Sequence, residues 1–126
     1  MESLFILIGV LVVIILFSIF TYFRQKRILK PLSEEEFRAG YRKAQLIDIR
    51  EQREFDGGHI LGARNIPLSQ LKIRIGEIRS DKPVYLYCQN GMRSGRAAQL
   101  LYKKGIRDLY QLKGGFKHWT GKIKRK

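Results

Sequence analysis

The stretch YLYCQNGMRSGRAAQLLYKKG, residues 85–105, decides how the rest of the chain reads. It continues the apolar run begun at Val84, and that run ends at Cys88, the only cysteine in 126 residues. A short loop with Gly91 and Arg93 follows. Beyond it Ser94, Ala97, Ala98, Leu101 and Gly105 recur at three- and four-residue intervals, which is one face of a helix. The small alanines on that face allow close packing onto a sheet. A buried strand, a loop and a helix in this order form the unit of an open α/β sheet, where ligands bind beyond the carboxyl ends of the strands. Cys88 is placed at such an end. Successive backbone N–H groups of Gln89, Asn90, Gly91, Met92, Arg93 and Ser94 can converge on one point, and the helix N-terminus adds partial positive charge. Gly91 permits a backbone conformation barred to other residues, and Arg93 brings a forked set of donors. Each of these features favours a thiolate over a thiol. The loop reads as an anion cradle with a nucleophile at its floor.

The pattern extends outward in both directions. LSEEEFRAG, residues 32–40, opens a domain: Ser33 with Glu36 three positions on makes a capping box, Leu32 is placed as a hydrophobic staple, and Gly40 is a fitting stop. AQLIDI, residues 44–49, is a short buried strand containing Asp48, and REQREF is a single helical turn. DGGHILGARNIP is loop and turn around a short strand near Ala63 to Ile66, and residues 68–79 have a mostly helical spacing. DLYQL is a third strand, and GGFKHWTGKI a final helix or turn. Short strands alternating with helical stretches predict a small parallel sheet flanked by helices on both faces.

Residues 4–23, LFILIGVLVVIILFSIFTYF, contain no charged side chain. As a helix this run is roughly 30 Å long, enough to cross the hydrocarbon core of a bilayer. A signal peptide is the competing reading. The acidic Glu2, the length of the apolar run and the lack of a small-x-small site before the basic flank argue for an uncleaved transmembrane helix. Arg24, Lys26, Arg27 and Lys30 follow the span, so the positive-inside rule predicts the N-terminus outside and the C-terminal domain in the cytoplasm, at the cell membrane. A lone thiol suits that reducing compartment. The expected organisation is a transmembrane helix over 4–23, a basic linker over 24–31, one domain over 32–121 and a basic tail over 122–126. Residues 31–126 carry 21 Lys and Arg against 10 Asp and Glu. For a domain tethered to a membrane the expected partner of that charge is the anionic lipid surface. No nucleic-acid motif accompanies it, and no nucleic acid is expected.

CQNGMRSGRAAQLLYKKGIRDLYQLKGG resembles the active-site half of a rhodanese domain, in which a C-x-x-G-x-R-S loop leads into a helix, a strand and a Gly-Gly turn. Upstream, LIDIREQREFDGGHILGARNIP is similar to the family's D-x-R-x-x-x-E-[FY]-x-x-G-H-I-x-G-A-x-N-I-P signature, with Leu61 where proline is usual. Two motifs in the expected order cover nearly all of the chain beyond Leu32. The resemblance implies a rhodanese-like α/β fold and sulfur transfer. Cys88 would take the outer sulfur of a small donor such as thiosulfate or a persulfide and pass it to a thiol or protein-cysteine acceptor. It also implies substrate contacts from residues 89–94, with Arg93 drawing in an anionic donor and stabilising the leaving sulfite. The spacing Cys88-x4-Arg93, with Tyr87 before the cysteine, departs from the Cys-x5-Arg of the related dual-specificity phosphatases and argues against phosphoryl transfer.

In the same signature Asp48 holds neighbouring loops, Arg50 is placed for a rim contact to substrate, and His59 is structural, because a thiolate ionised by its loop needs no general base. His118 and Trp119 read as packing or surface residues. Two histidines and one cysteine far apart in sequence make a poor metal site, so no metal or cofactor is expected. Two other readings use the same fold: a non-catalytic interaction module at the membrane, and a persulfide or redox sensor.

Overall fold

The computed structural model describes residues 1–125, and of Gln25, Lys26 and Met92 the backbone alone. Helix α1 (Glu2–Ile28) runs without a break into strand β1 (Leu29–Leu32). There follow α2 (Glu34–Gly40), β2 (Gln45–Asp48), α3 (Gln52–Asp56), β3 (His59–Ile60), β4 (Arg64–Asn65), α4 (Leu68–Arg74), β5 (Val84–Tyr87), α5 (Met92–Lys103), β6 (Leu109–Leu112) and β7 (Ile123–Lys124). Five strands form one sheet in the order β1-β6-β5-β2-β4, every neighbouring pair parallel. Strand β5 is therefore central, and the residue after it, Cys88, lies at the middle of the sheet's carboxyl edge.

Alternation along the strands builds two cores. Val84 and Leu86 of β5 and Cys88 just beyond it, with Ile47 and Ile49, face Leu71 of α4 and Ala97, Ala98 and Leu101 of α5. The two alanines are buried, and their size lets α5 approach the sheet. On the opposite face Tyr87, Leu46 and Leu112 pack against Phe37 of α2, Tyr41 and Ile60, with Phe116 and Trp119 at the edge. The capping box of α2 is formed: Glu36 N–H donates to Ser33 Oγ at 3.2 Å, and Ser33 N–H donates to Glu36 Oε1 at 3.0 Å.

Two segments depart from the expected local structure. Residues 24–28, expected as linker, continue the helix, and Leu29–Leu32 forms an edge strand against β6. Pro31 fits there because an edge strand leaves one row of N–H groups unpaired, so a residue without one loses nothing. The basic C-terminal stretch is also in part ordered backbone. His59–Ile60 pairs antiparallel with Ile123–Lys124, and Leu61 N–H donates to Lys122 O at 3.1 Å.

Helix α1 is long and apolar enough between Glu2 and Arg24 to cross a membrane, and none of that length is buried in the protein. Its large side chains, from Leu4 to Phe23, stand exposed on every side.

Candidate active site

The site is assembled at the carboxyl end of β5 by the turn into α5. Gly91 occupies the N-cap of α5 with φ +91°, a left-handed conformation that only glycine adopts without strain. This turn brings its N–H back over the preceding strand end, where it donates to Cys88 Sγ at 3.0 Å. Ser94, in the first turn of the helix and fully buried, donates its hydroxyl to the same sulfur at 3.4 Å. Both donors favour a sulfur carrying negative charge, whether thiolate or the inner sulfur of a persulfide. Gln89 and Gly91 are half-buried, and Asn90 is exposed at the loop tip. The Met92 side chain, expected in the site, lies outside the described residues.

A second loop holds the first from behind. Gly114 and Gly115 both have positive φ, +82° and +76°. Their turn lets Phe116 N–H donate to Cys88 O at 2.8 Å and Lys117 N–H to Gln89 O at 3.1 Å. Gly115 lies so close that a Cβ there would stand 2.6 Å from Gln89 O and 2.7 Å from Cys88 O. With both carbonyls tied down on that side, the loop's amide at Gly91 is left to face the sulfur. The Gly-Gly turn was legible in the sequence; its role as a clamp was not.

Arg50 is expected at the rim, and the structure corrects this: the residue is 2 % exposed. Its guanidinium donates to both Asp48 carboxylate oxygens, to Gly58 O at 2.6 Å and to Gln89 Oε1 at 3.0 Å. The guanidinium carbon lies 4.2 Å from the Phe116 ring centroid. Each of its three nitrogens thus has a partner, as a buried cation requires, because a charge left unpaired in the interior costs several kcal/mol. Arg50 therefore reaches the site through Gln89, as an internal strut. Asp48 joins the same network and sits beside Tyr87, whose hydroxyl is held protonated far above the ordinary tyrosine range by burial first and by the Asp48 charge second. Tyr87 Oη accepts the Ile60 N–H at 3.1 Å.

Arg93 is expected to lend its charge to the cradle. Its guanidinium feels the charge of Cys88 and is at the same time paired with Glu54 of α3 in two bonds of 3.0 Å. Sequence reasoning assigned no role to Glu54; the glutamate in the upstream motif was the available signal. The same carboxylate accepts the Glu51 N–H at 3.1 Å, closing the cap of α3. Arg93 and the Glu51 amide hold Glu54 below the usual carboxylate range, the Arg93 hydrogen bond contributing most. His59 is buried, stacks on Phe55 with centroids 3.6 Å apart, and donates from Nδ1 to Phe55 O at 2.8 Å. A carbonyl only accepts, so Nδ1 carries a proton, and the ring is committed to packing. His118 is exposed, and Trp119 packs edge-on to Phe37 and Tyr41. Among the described residues no group of three or more His, Cys, Asp or Glu could hold a metal ion.

Residues 33–122 match the rhodanese-like domain family. The chain is 66 % identical over 126 residues to the uncharacterized protein YqhL of Bacillus subtilis (strain 168), covering all of this chain and 99 % of that one. It is 40 % identical over 78 residues to the thiosulfate sulfurtransferase GlpE of Shewanella oneidensis, covering 62 % of this chain and 77 % of GlpE. Among solved structures, a rhodanese-related protein from Thermoplasma volcanium superposes with a TM-score of 0.70 at 23 % identity, over 76 % of this chain and 98 % of that one, a likeness of fold.

Proposed function

This chain belongs to the rhodanese-like domain family, and from that premise we propose that it is a membrane-anchored sulfurtransferase whose Cys88 carries sulfane sulfur. The observation that carries this reading is the pair of donors on one buried sulfur, Gly91 N–H at 3.0 Å and Ser94 Oγ–H at 3.4 Å. The Cys88 thiolate attacks the outer sulfur of thiosulfate. A new S–S bond forms, the old one breaks, and its electron pair leaves with sulfite. A thiophile then attacks the outer sulfur of the persulfide and returns Cys88 as thiolate. No other cysteine exists in the chain to take that sulfur, so the acceptor is a separate molecule, a thiol or a protein cysteine. GlpE, a relative named for thiosulfate sulfur transfer, supports the donor class.

Helix α1 is the anchor in this reading, with Arg24, Arg27 and Lys30 on its cytoplasmic side. The sheet's polarity supports a soluble acceptor. All five strands run parallel, and β1 starts where α1 stops, so the amino ends lie at the anchor and the carboxyl ends point away. From Val84, level with Leu109 and Leu29, to Cys88 is four residues, about 13 Å of strand.

The test is intact mass of the full chain in detergent, reduced and then exposed to thiosulfate. One sulfur atom is gained, cyanide removes it as thiocyanate, and Cys88→Ser gains none. A folded protein with a titratable thiol that gains nothing from thiosulfate or from a low-molecular-weight persulfide would refute the proposal.

A further inference from the structure

The end of α1 does not hang free of the domain. Arg24 and Ile28, one turn apart on the same side of the helix, lie opposite Gln99, Tyr102 and Lys103 in the last turns of α5. These five residues line a cleft of about 190 Å³. Ile28 belongs to the buried core and makes an apolar floor; Arg24 and Lys103 are exposed at the walls. Neither cation enters an ion pair among the described residues, and no lining residue is acidic. A third cation borders the cleft, since the Arg107 guanidinium carbon lies 4.3 Å from the Tyr102 ring centroid.

The obvious internal use for these cations is the negative pole at the end of α5, and backbone amides already cap two of its carbonyls. Leu101 O accepts from Lys104 N–H at 3.0 Å and from Ile106 N–H at 3.1 Å, and Tyr102 O accepts from Gly105 N–H at 3.1 Å. Exposed and without an ion pair among the described residues, the positive charge of the cleft is open to a ligand. Its position says which. The exposed apolar surface of α1 stops at Phe23, and Arg24 is the next residue. On the reading that α1 crosses the bilayer, on which this inference rests, a helix rising about 1.5 Å per residue puts Arg24 to Ile28 within about 8 Å of the hydrocarbon edge, among the headgroups.

We propose that this cleft binds the headgroup phosphate of an anionic phospholipid. The phosphodiester sits between Arg24 and Lys103, Gln99 and Tyr102 supply neutral donors, and the acyl chains follow the apolar surface of α1. Clustered cations immediately beyond a membrane span attract anionic lipid, and here the fold gives them walls and a floor. Helix α5 runs from the Cys88 loop to this cleft, so the lipid braces the element that carries the cradle.

The experiment is native mass spectrometry of the full chain released from nanodiscs made of equal parts phosphatidylglycerol and phosphatidylcholine. Expected is one retained phosphatidylglycerol, favoured at least tenfold over phosphatidylcholine. Arg24→Gln with Lys103→Gln lowers that preference about tenfold, Lys103→Arg keeps it, and Lys72→Gln on the exposed side of α4 leaves it unchanged. Equal retention of the two lipids overturns the site while leaving the anchor standing. An equal loss in Lys72→Gln overturns it too, by reducing the effect to bulk charge. Displacement of the retained lipid by millimolar inorganic phosphate assigns the cleft to a soluble anion and overturns the lipid. A chain that enters neither lipid overturns the anchor and this site together, and leaves the sulfur chemistry of Cys88 untouched.

Discussion

Glu54 grips Arg93 across the mouth of the site, Oε1 accepting from Nη1 and Oε2 from Nη2, each at 3.0 Å. The two residues are 39 apart in sequence, and the pair ties α3 to the first turn of α5. It also decides what an incoming anion meets, a cation already paired with a carboxylate. The side chains are 34 % and 32 % exposed, so water and salt screen the pair.

Removing the charge of Glu54 is expected to strengthen the binding of an anionic donor. In Glu54→Gln the KM for thiosulfate falls roughly threefold at low ionic strength, and the gain fades by about 0.5 M salt, as expected for a partly exposed charge. Steady-state kinetics with cyanide as acceptor measure both. A KM that rises at every salt concentration would instead make Glu54 a residue that positions Arg93 for substrate.

The same pair gives a pH-dependent stability. The Glu54 carboxyl is held below its ordinary range in the folded protein, so its contribution is full above the unfolded value of about 4.3 and is lost as pH falls through the folded value. The wild type is expected to exceed Glu54→Gln by no more than about 1 kcal/mol at pH 7, given the exposure, and the gap closes in acid. Urea unfolding followed by Trp119, the chain's only tryptophan, reads it. A gap independent of pH would mean that packing, rather than charge, links the two residues.

Ser94→Ala removes one of the two donors on Cys88 Sγ found among the described residues, and little volume from the core. The expected cost is about 1 kcal/mol in transition-state stabilisation, or roughly fivefold in kcat/KM for thiosulfate, with folding unaffected. Unchanged kinetics would show that the sulfur does not need the Ser94 hydroxyl.

The clamp behind the cradle is tested by glycine. Gly115→Ala puts a methyl group against two backbone carbonyls at positive φ, so either the loop or the turn must move. Loss of about 2–4 kcal/mol of stability and most of the sulfur uptake is expected. Gly62→Ala, also at positive φ but facing open space, costs about 1 kcal/mol and leaves uptake intact. Equal effects at both sites would reduce the clamp to ordinary backbone strain.

Asp48 and Arg50 form a buried pair, so either charge left alone is expensive. Asp48→Asn and Arg50→Gln are each expected to destabilise by about 3–5 kcal/mol. The double variant loses less than the sum by about 1–3 kcal/mol, the coupling that a double-mutant cycle reads in urea unfolding. Strict additivity would mean that Gly58, Gln89 and Phe116 hold Arg50 without Asp48.

Much of this architecture could be read along the chain, because the forces that encode it are local. The short apolar run from Val84 to Cys88 and the three- and four-residue spacing of Ala97, Ala98 and Leu101 specify a strand and a helix, and Gly91 between them fixes the loop. Ser33 and Glu36 mark their own helix start, and the uncharged run over residues 4–23 marks a candidate span. A period says nothing about partners far away. Residues 29–31 looked like linker because their Pro and Lys are strand-like only on an edge, and the edge exists only once β6 is beside it. The two arginines show the limit most plainly. Each is a long flexible side chain with a fork of donors, and local sequence leaves its direction open. Arg50 turns inward because the fold sets Asp48, Gly58 O and Gln89 around one point. Arg93 turns to Glu54 because packing brings α3 to the mouth of the cradle. A charge settles where its solvation is best replaced, and only the tertiary structure determines where that is.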